Sequence, residues 1–153
     1  MSLRRVVVDS DIILDHLQGT ASPSVLRRLM GLFFCYTTVF QAAEVLARAR
    51  TEREVQATHD AMGAMKILGV NARGASRYAE LLRSARARNR WQMLIAGLCL
   101  ESGLPLATGR AREYRNFPGL LVLPARLITG GAAAEEILEA ARSRVQRRAA
   151  RAD

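Results

Sequence analysis

The sequence predicts an α/β fold with a central, mainly parallel sheet, and three observations carry that expectation. Val6-Val7-Val8 is an unbroken β-branched run, too apolar to have a wet face. Asp9, Ser10 and Asp11 follow it directly and offer side-chain oxygens where a helix carrying Ile12, Ile13 and Leu17 needs caps. Further short apolar runs alternate with helical patterns along the whole chain, which is how parallel strands are joined.

The first helix runs to about Gln18, where Gly19 stops it. Ser22-Pro23 has the cap-then-proline form of a second helix start, with Val25, Leu26, Leu29 and Met30 on one face. Leu32–Thr38 reads as the second strand. Thr37 or Thr38 then caps a helix carrying Val39, Ala42, Ala43, Leu46 and Ala47, with Glu44 about two turns in. Thr51-Glu52-Arg53-Glu54 opens a helix to about Met65, and Lys66–Val70 is a short strand. Asn71 caps an Arg-rich helix with apolar positions at Ala75, Tyr78, Ala79, Leu82 and Ala85. Around Asn89-Arg90 it gives way to the apolar helix Trp91–Leu100, which ends at Gly103. Leu104–Thr108 and Leu120–Leu123 are the last strands. From Ala132 one amphipathic helix carries Ala134, Ile137, Leu138, Ala141 and Val145 on one face, and five arginines between Arg142 and Arg151.

A chain of 153 residues, half of them hydrophobic, is long enough for one domain with a real core. No apolar run approaches the roughly 20 residues a membrane span needs, and Met1-Ser2-Leu3-Arg4-Arg5 leads into a strand with no signal-peptide pattern. Cys35 and Cys99 lie in apolar runs without metal-ligand spacing, as lone thiols of a cytoplasmic protein do. The formal net charge is +9, almost all of it from arginine, which points to a polyanionic partner, nucleic acid first.

VVVDSDIILDHLQG (Val6–Gly19), TTVFQAAEVL (Thr37–Leu46) and LIAGLCLESGLPLATGRAREYRNFPGLLVL (Leu94–Leu123), in that order and spacing, resemble the PIN domain. Within it they are most similar to the VapC-type toxins of bacterial toxin–antitoxin pairs. The resemblance implies a PIN-like three-layer α/β/α sandwich over residues 1–130, with 131–153 a helix packed on or extending from it. It also implies a Mg²⁺- or Mn²⁺-dependent endoribonuclease that is usually a homodimer held silent by an antitoxin. The homodimer is expected to use apolar helix faces such as Val25–Met30 or Ala42–Ala49.

Phosphodiester hydrolysis asks a divalent metal to activate water and to neutralise developing charge, and hard cations take oxygen ligands. By the resemblance, Asp9 matches the family's first acid and Glu44 its second, Asp11 supports the first by hydrogen bonding, and Glu113 matches a late Asp. Asp9, Glu44 and Gln92 would form the catalytic set, with Asp11 and Glu113 as further metal candidates. Ser10, Thr108, Arg110 and Arg112 fall in the substrate-binding stretches, the two arginines suited to gripping phosphate at the mouth of the site.

Two departures bear on catalysis. Gln92 stands where the third acid is expected, and Arg110 where an Asn or Asp follows Thr108. An amide brings no charge, and a cation aimed at a metal site repels the metal. Asn89, one helical turn before Gln92, is a neutral substitute at best, and the Ala85–Arg90 loop is short. Asp9 and Glu44 would then hold a single ion weakly, or none. The expectation is a VapC-like ribonuclease with a partly eroded active site. The alternative is a catalytically silent PIN domain that binds RNA or an antitoxin. A basic helical DNA-binding protein fits poorly with the valine strand. His16 and His59 lack partners at ligand spacing. Trp91, beside Arg88 and Arg90, is read as a helix-packing residue before a base-stacking one.

Overall fold

The computed structural model describes residues 4–84 and 89–152. Its central strand is β1 (Arg5–Val8), in which Val6, Val7 and Val8 are all fully buried. Successive strand side chains point to opposite faces, and here both faces are covered. Val6 and Val8 join one apolar cluster with Ile12, Ile13, Leu26, Leu29 and Ile137. Val7 joins a second cluster with Ile95, Cys99, Leu106, Tyr114 and Phe117. β2 (Phe34–Thr38) and then β3 (Lys66–Leu68) lie on one side of β1, and β4 (Leu106–Thr108) and then β5 (Val122–Pro124) on the other. Every pairing is parallel, so the chain has an α/β fold with a five-stranded parallel sheet in the order β3-β2-β1-β4-β5. The strand order reverses at β1, and in open parallel sheets a crevice opens there, beyond the carboxyl ends of the strands.

The helices are α1 (Ser10–Gln18), α2 (Val25–Leu32), α3 (Val39–Arg48), α4 (Glu52–Gly63), α5 (Ala75–Ser84), α6 (Arg90–Ser102), α7 (Ala125–Thr129) and α8 (Ala134–Ala149). Their ends follow local chemistry. At α3 the Thr38 hydroxyl accepts from the Gln41 amide at 3.3 Å, while Gln41 Oε1 accepts from Thr38 N at 3.0 Å. That reciprocal pair satisfies two backbone donors at once. Asn89 caps α6 by accepting from Trp91 N at 3.0 Å. Gly19 and Gly103 close α1 and α6 at φ 66° and 65°, a left-handed conformation that glycine adopts without a Cβ penalty.

Several elements differ from the sequence reading. The second helix begins at Val25 because Ser24, not Ser22, makes the cap, accepting from Arg27 N at 3.2 Å and bonding His16 Nδ1 at 2.7 Å. Leu82 is 57% exposed. Leu81 and Tyr78, three residues apart, take the face of α5 that packs on α6, and a one-residue step around a helix turns Leu82 to solvent. Val145 is also exposed, because the α8 stripe reaches the core through Ala134, Ile137, Leu138 and Ala141 and its cover stops there. The faces of α2 and α3 offered to a second copy are spent on the chain's own core: Leu26, Leu29, Ala42 and Val45 are buried there. The short helix α7 follows Pro124, whose fixed φ suits a helix start. Ala85 and Arg88 lie outside the described residues. Among the described residues no helix is long and apolar enough to cross a membrane.

α8 is tied to the sheet through Ile137, which is fully buried in the cluster of Val6 and Val8. Ile137→Ala should therefore lower unfolding free energy by about 2–4 kcal/mol in urea titrations. Leu82→Ala should stay within roughly 0.5 kcal/mol. A cost below that at Ile137 would mean that α8 is not docked.

Candidate functional site at the carboxyl edge of the sheet

Asp9 is the residue immediately after β1, and its amide still pairs with Ala107 O of β4 at 2.9 Å. Its carboxylate is fully buried. A charge removed from water must be compensated by hydrogen bonds, and here four donor groups supply them. Oδ1 accepts from Ser10 N at 2.9 Å and from Gln41 Nε2 at 2.9 Å. Oδ2 accepts from Thr108 Oγ1 at 2.7 Å. Arg110 Nη2 stands 3.2 Å from both oxygens, making an ion pair between a buried carboxylate and a partly exposed guanidinium.

Arg110 is held in that position from several sides. It leaves β4 through the turn at Thr108, whose hydroxyl accepts from Arg110 N at 2.9 Å. Nη2 also donates to Ser10 Oγ at 3.2 Å, and Nη1 lies 3.9 Å from Glu113 Oε2. Burial alone would lower the guanidinium pKa, but the charges of Asp9 and Asp11 outweigh it and push it above its ordinary value.

The remaining acids sit around this pair. Glu44, on α3, accepts from Ser10 Oγ at 2.8 Å and from the Trp91 indole N–H at 3.2 Å, both on Oε2. Arg48 stands one turn along the same helix, 3.8 Å from Oε1. Trp91 also meets Phe40 edge to face at 5.5 Å. Gln92 turns its amide to Glu113, with Nε2 2.6 Å from Oε2. Asp11 accepts from two backbone amides, Ile12 N and Gly109 N, each at 2.9 Å. Its carboxyl is pushed up to about 6, by burial first and then by the charge of Asp9.

Asp9, Ser10, Glu44, Thr108 and Arg110 thus share one hydrogen-bonded network at one sheet edge, and the hydrogen-bonded pair Gln92 and Glu113 adjoins it through the ion pair of Glu113 with Arg110. Asp11 joins it only through the backbone of Gly109. Ser10 and Thr108 are buried, whereas Arg112 is exposed on the turn that follows. Asn89 spends its side-chain oxygen on the α6 cap. His16 bonds Ser24, and His59 is exposed on α4. The residue missed in the sequence is Gln41, fully buried and bonded to Asp9. Its signal was the Thr38-to-Gln41 capping spacing, which marks a helix start but says nothing of a carboxylate beside it.

The divalent ion implied by the resemblance to the PIN domain does not fit this arrangement. Both oxygens of Asp9 are engaged, and a guanidinium already stands against them. Glu44 and Glu113 are turned to Trp91 and Gln92. Among the described residues no group of three or more His, Cys, Asp or Glu is gathered as a metal site. Three buried polar atoms lack a partner among the described residues: Gln92 Oε1, Arg110 Nε and Tyr114 Oη. Arg110 Nε carries a proton, and burial first and then the charge of Asp9 raise the pKa of the Tyr114 hydroxyl, keeping its proton in place. Gln92 Oε1 and the Tyr114 hydroxyl oxygen remain as acceptors, and both are neutral.

No protein-family model and no curated protein sequence matches the chain. Solved structures do. A DNA-bound VapBC from Salmonella typhimurium aligns at a TM-score of 0.67 and 16% identity, over 81% of this chain and 99% of that one. VapBC-1 from nontypeable Haemophilus influenzae gives 0.66 and 15%, over 80% and 98%. VapBC2 from Rickettsia felis, bound to a fragment of its promoter DNA, gives 0.66 and 16%, over 77% and 96%. Likeness at this identity is likeness of fold, and the chain has the PIN-domain fold of VapC-type proteins.

Proposed function

We propose that this chain is a VapC-like protein of the toxin–antitoxin type whose metal-dependent endoribonuclease centre is eroded, so that it acts by binding RNA or an antitoxin rather than by cutting. The observation that carries this reading is the Arg110 guanidinium set against both oxygens of Asp9. It supplies from within the chain the positive charge that a Mg²⁺ or Mn²⁺ ion would otherwise bring. Unlike a metal, it cannot make a bound water nucleophilic. The net charge of +9 and the exposed Arg112 suit a polyanion such as RNA. The antitoxin is suggested by the structural neighbours, which are VapBC complexes.

A second reading keeps a weak Mg²⁺- or Mn²⁺-dependent ribonuclease, and the 31% exposure of the Arg110 side chain favours it. Rotation of that side chain toward solvent would release Asp9, leaving it as principal ligand, with Glu44 second and Gln92 a neutral stand-in. In either reading the buried, free Cys35 and Cys99 suit the cytoplasm. A homodimer would use edge strand β3, where Ile67 and the nearby Val70 are exposed.

Mn²⁺ calorimetry separates the two readings. We expect no saturable binding to the wild type and saturable binding to Gln92→Asp combined with Arg110→Asp, since two carboxylates replace a neutral and a positive group. Mn²⁺ should then raise the melting temperature of the double variant more than that of the wild type. A wild-type Mn²⁺ site that is lost in Asp9→Asn, together with cleavage of single-stranded RNA, would establish the ribonuclease instead. For the dimer, Ile67→Lys should turn a dimer mass into a monomer mass by light scattering; a wild-type monomer would remove that part of the reading.

A further inference from the structure

α8 carries its apolar stripe further than the core extends. Ala134, Ile137 and Ala141 are buried, but Val145, four residues on, is 38% exposed, and Ala149 is exposed as well. Residues four apart share one helix face, so the stripe continues while its cover stops. The uncovered half faces a groove of about 790 Å³ between α8, β5 and the segment from Gly109 to Leu120. Val122 and Val145 contribute apolar surface to it, and Arg112, Arg126, Arg144 and Arg148 line it. Among the described residues that line the groove only Glu113 is acidic, and it is already engaged by Gln92 and Arg110.

This concentration of like charge is under strain of its own. Arg144 has its pKa held below the ordinary value by burial first, then by the charges of Arg126, Arg147 and Arg148. A negative occupant would relieve that repulsion. Two kinds of polyanion meet the charge, and the apolar surface decides between them. Tyr114 and Phe117, the aromatic residues of the groove, are buried, so no ring face is open for bases to stack on. A sugar–phosphate strand also brings no side chain to cover Val145. Carboxylates accept the paired N–H groups of arginine as well as phosphates do.

We propose that this groove docks an acidic, amphipathic segment of a partner protein, its apolar side chains on Val122 and Val145 and its carboxylates on the arginine rim. Nothing in this docking requires the Asp9 site to bind metal or RNA.

Fluorescence anisotropy of the full chain with labelled probes tests it. The probes are an amphipathic helical peptide of Leu, Ala and Glu, an isomer of identical composition scrambled to break the apolar face, and an oligouridylate of equal length. The amphipathic peptide should bind at least about tenfold more tightly than either of the others. Val145→Asp, and separately Arg144→Glu with Arg148→Glu, should each weaken it by about tenfold or more. An equal charge reversal outside the groove, Arg53→Glu with Arg83→Glu, should have a smaller effect. Circular dichroism and melting check that each variant is folded, and Val145→Ser replaces Val145→Asp if the latter is not. Equal binding of the two peptides, or none, would overturn the proposal. So would tighter binding of oligouridylate weakened by the same variants, or peptide binding that ignores all of them.

Discussion

A carboxylate sealed from water at the end of the central strand is the constraint on which the rest of this molecule depends. Removing such a charge from solvent costs several kcal/mol even after relaxation, so a fully buried Asp9 must be met by donors wherever the chain can supply them. Those donors come from the start of α1, from α3, from the last residue of β4 and from the turn beyond it. Satisfying one side chain therefore fixes how two strands and two helices meet. The parallel sheet provides the meeting point, because β1 has β2 on one side and β4 on the other and the strand order reverses there.

Charge around that point is balanced internally. Arg110 answers Asp9, Arg48 stands near Glu44, and the amide of Gln92 holds Glu113. A guanidinium and a metal ion both stabilise a buried carboxylate, but they differ in what else they can do. The metal leaves coordination positions for water and phosphate, whereas Arg110 spends its Nη2 protons on Asp9 and Ser10, groups already in the fold. Arg110, two residues past Thr108, thus makes this point of the sheet edge a structural ion pair. Gln92 Oε1, without a partner among the described residues, lies on the same amide whose nitrogen holds Glu113.

Much of this could be read in the chain. The valine run followed by Asp9 fixed the central strand and its end, because an apolar stretch with no wet face has few other places to go. The resemblance of the segments around Glu44 and Gln92 to the PIN domain implied that both side chains face that edge, and their hydrogen bonds to Ser10 and Glu113 lie there. Directions were harder to read. Nothing in a sequence says whether an arginine two residues past a strand will point out to a ligand or fold back onto a carboxylate a hundred residues earlier. Gln41 and Trp91 were hidden for a related reason: one is explained locally as a cap and the other as a packing residue, yet each also donates a hydrogen bond to an acid. Helix faces were misjudged where one residue of rotation decides exposure, as at Leu82, and where a helix outruns the sheet, as at Val145.

The separation of Asp9 from Arg110 has a consequence for the order of events on the ribosome. The two residues are 101 positions apart, and Thr108 is 99 from Asp9. β1 is made first, yet its neighbour β4 and two of the four donors to Asp9, Thr108 and Arg110, come only after about two thirds of the chain. Contacts of such long range close slowly and reward the chain only once the intervening loop has been ordered. A nascent fragment that stops before β4 carries Asp9 without its cationic counterweight and without a complete sheet to seat it. The seated Asp9 carboxylate and its neutralising arginine therefore come into being together, in the same closing step.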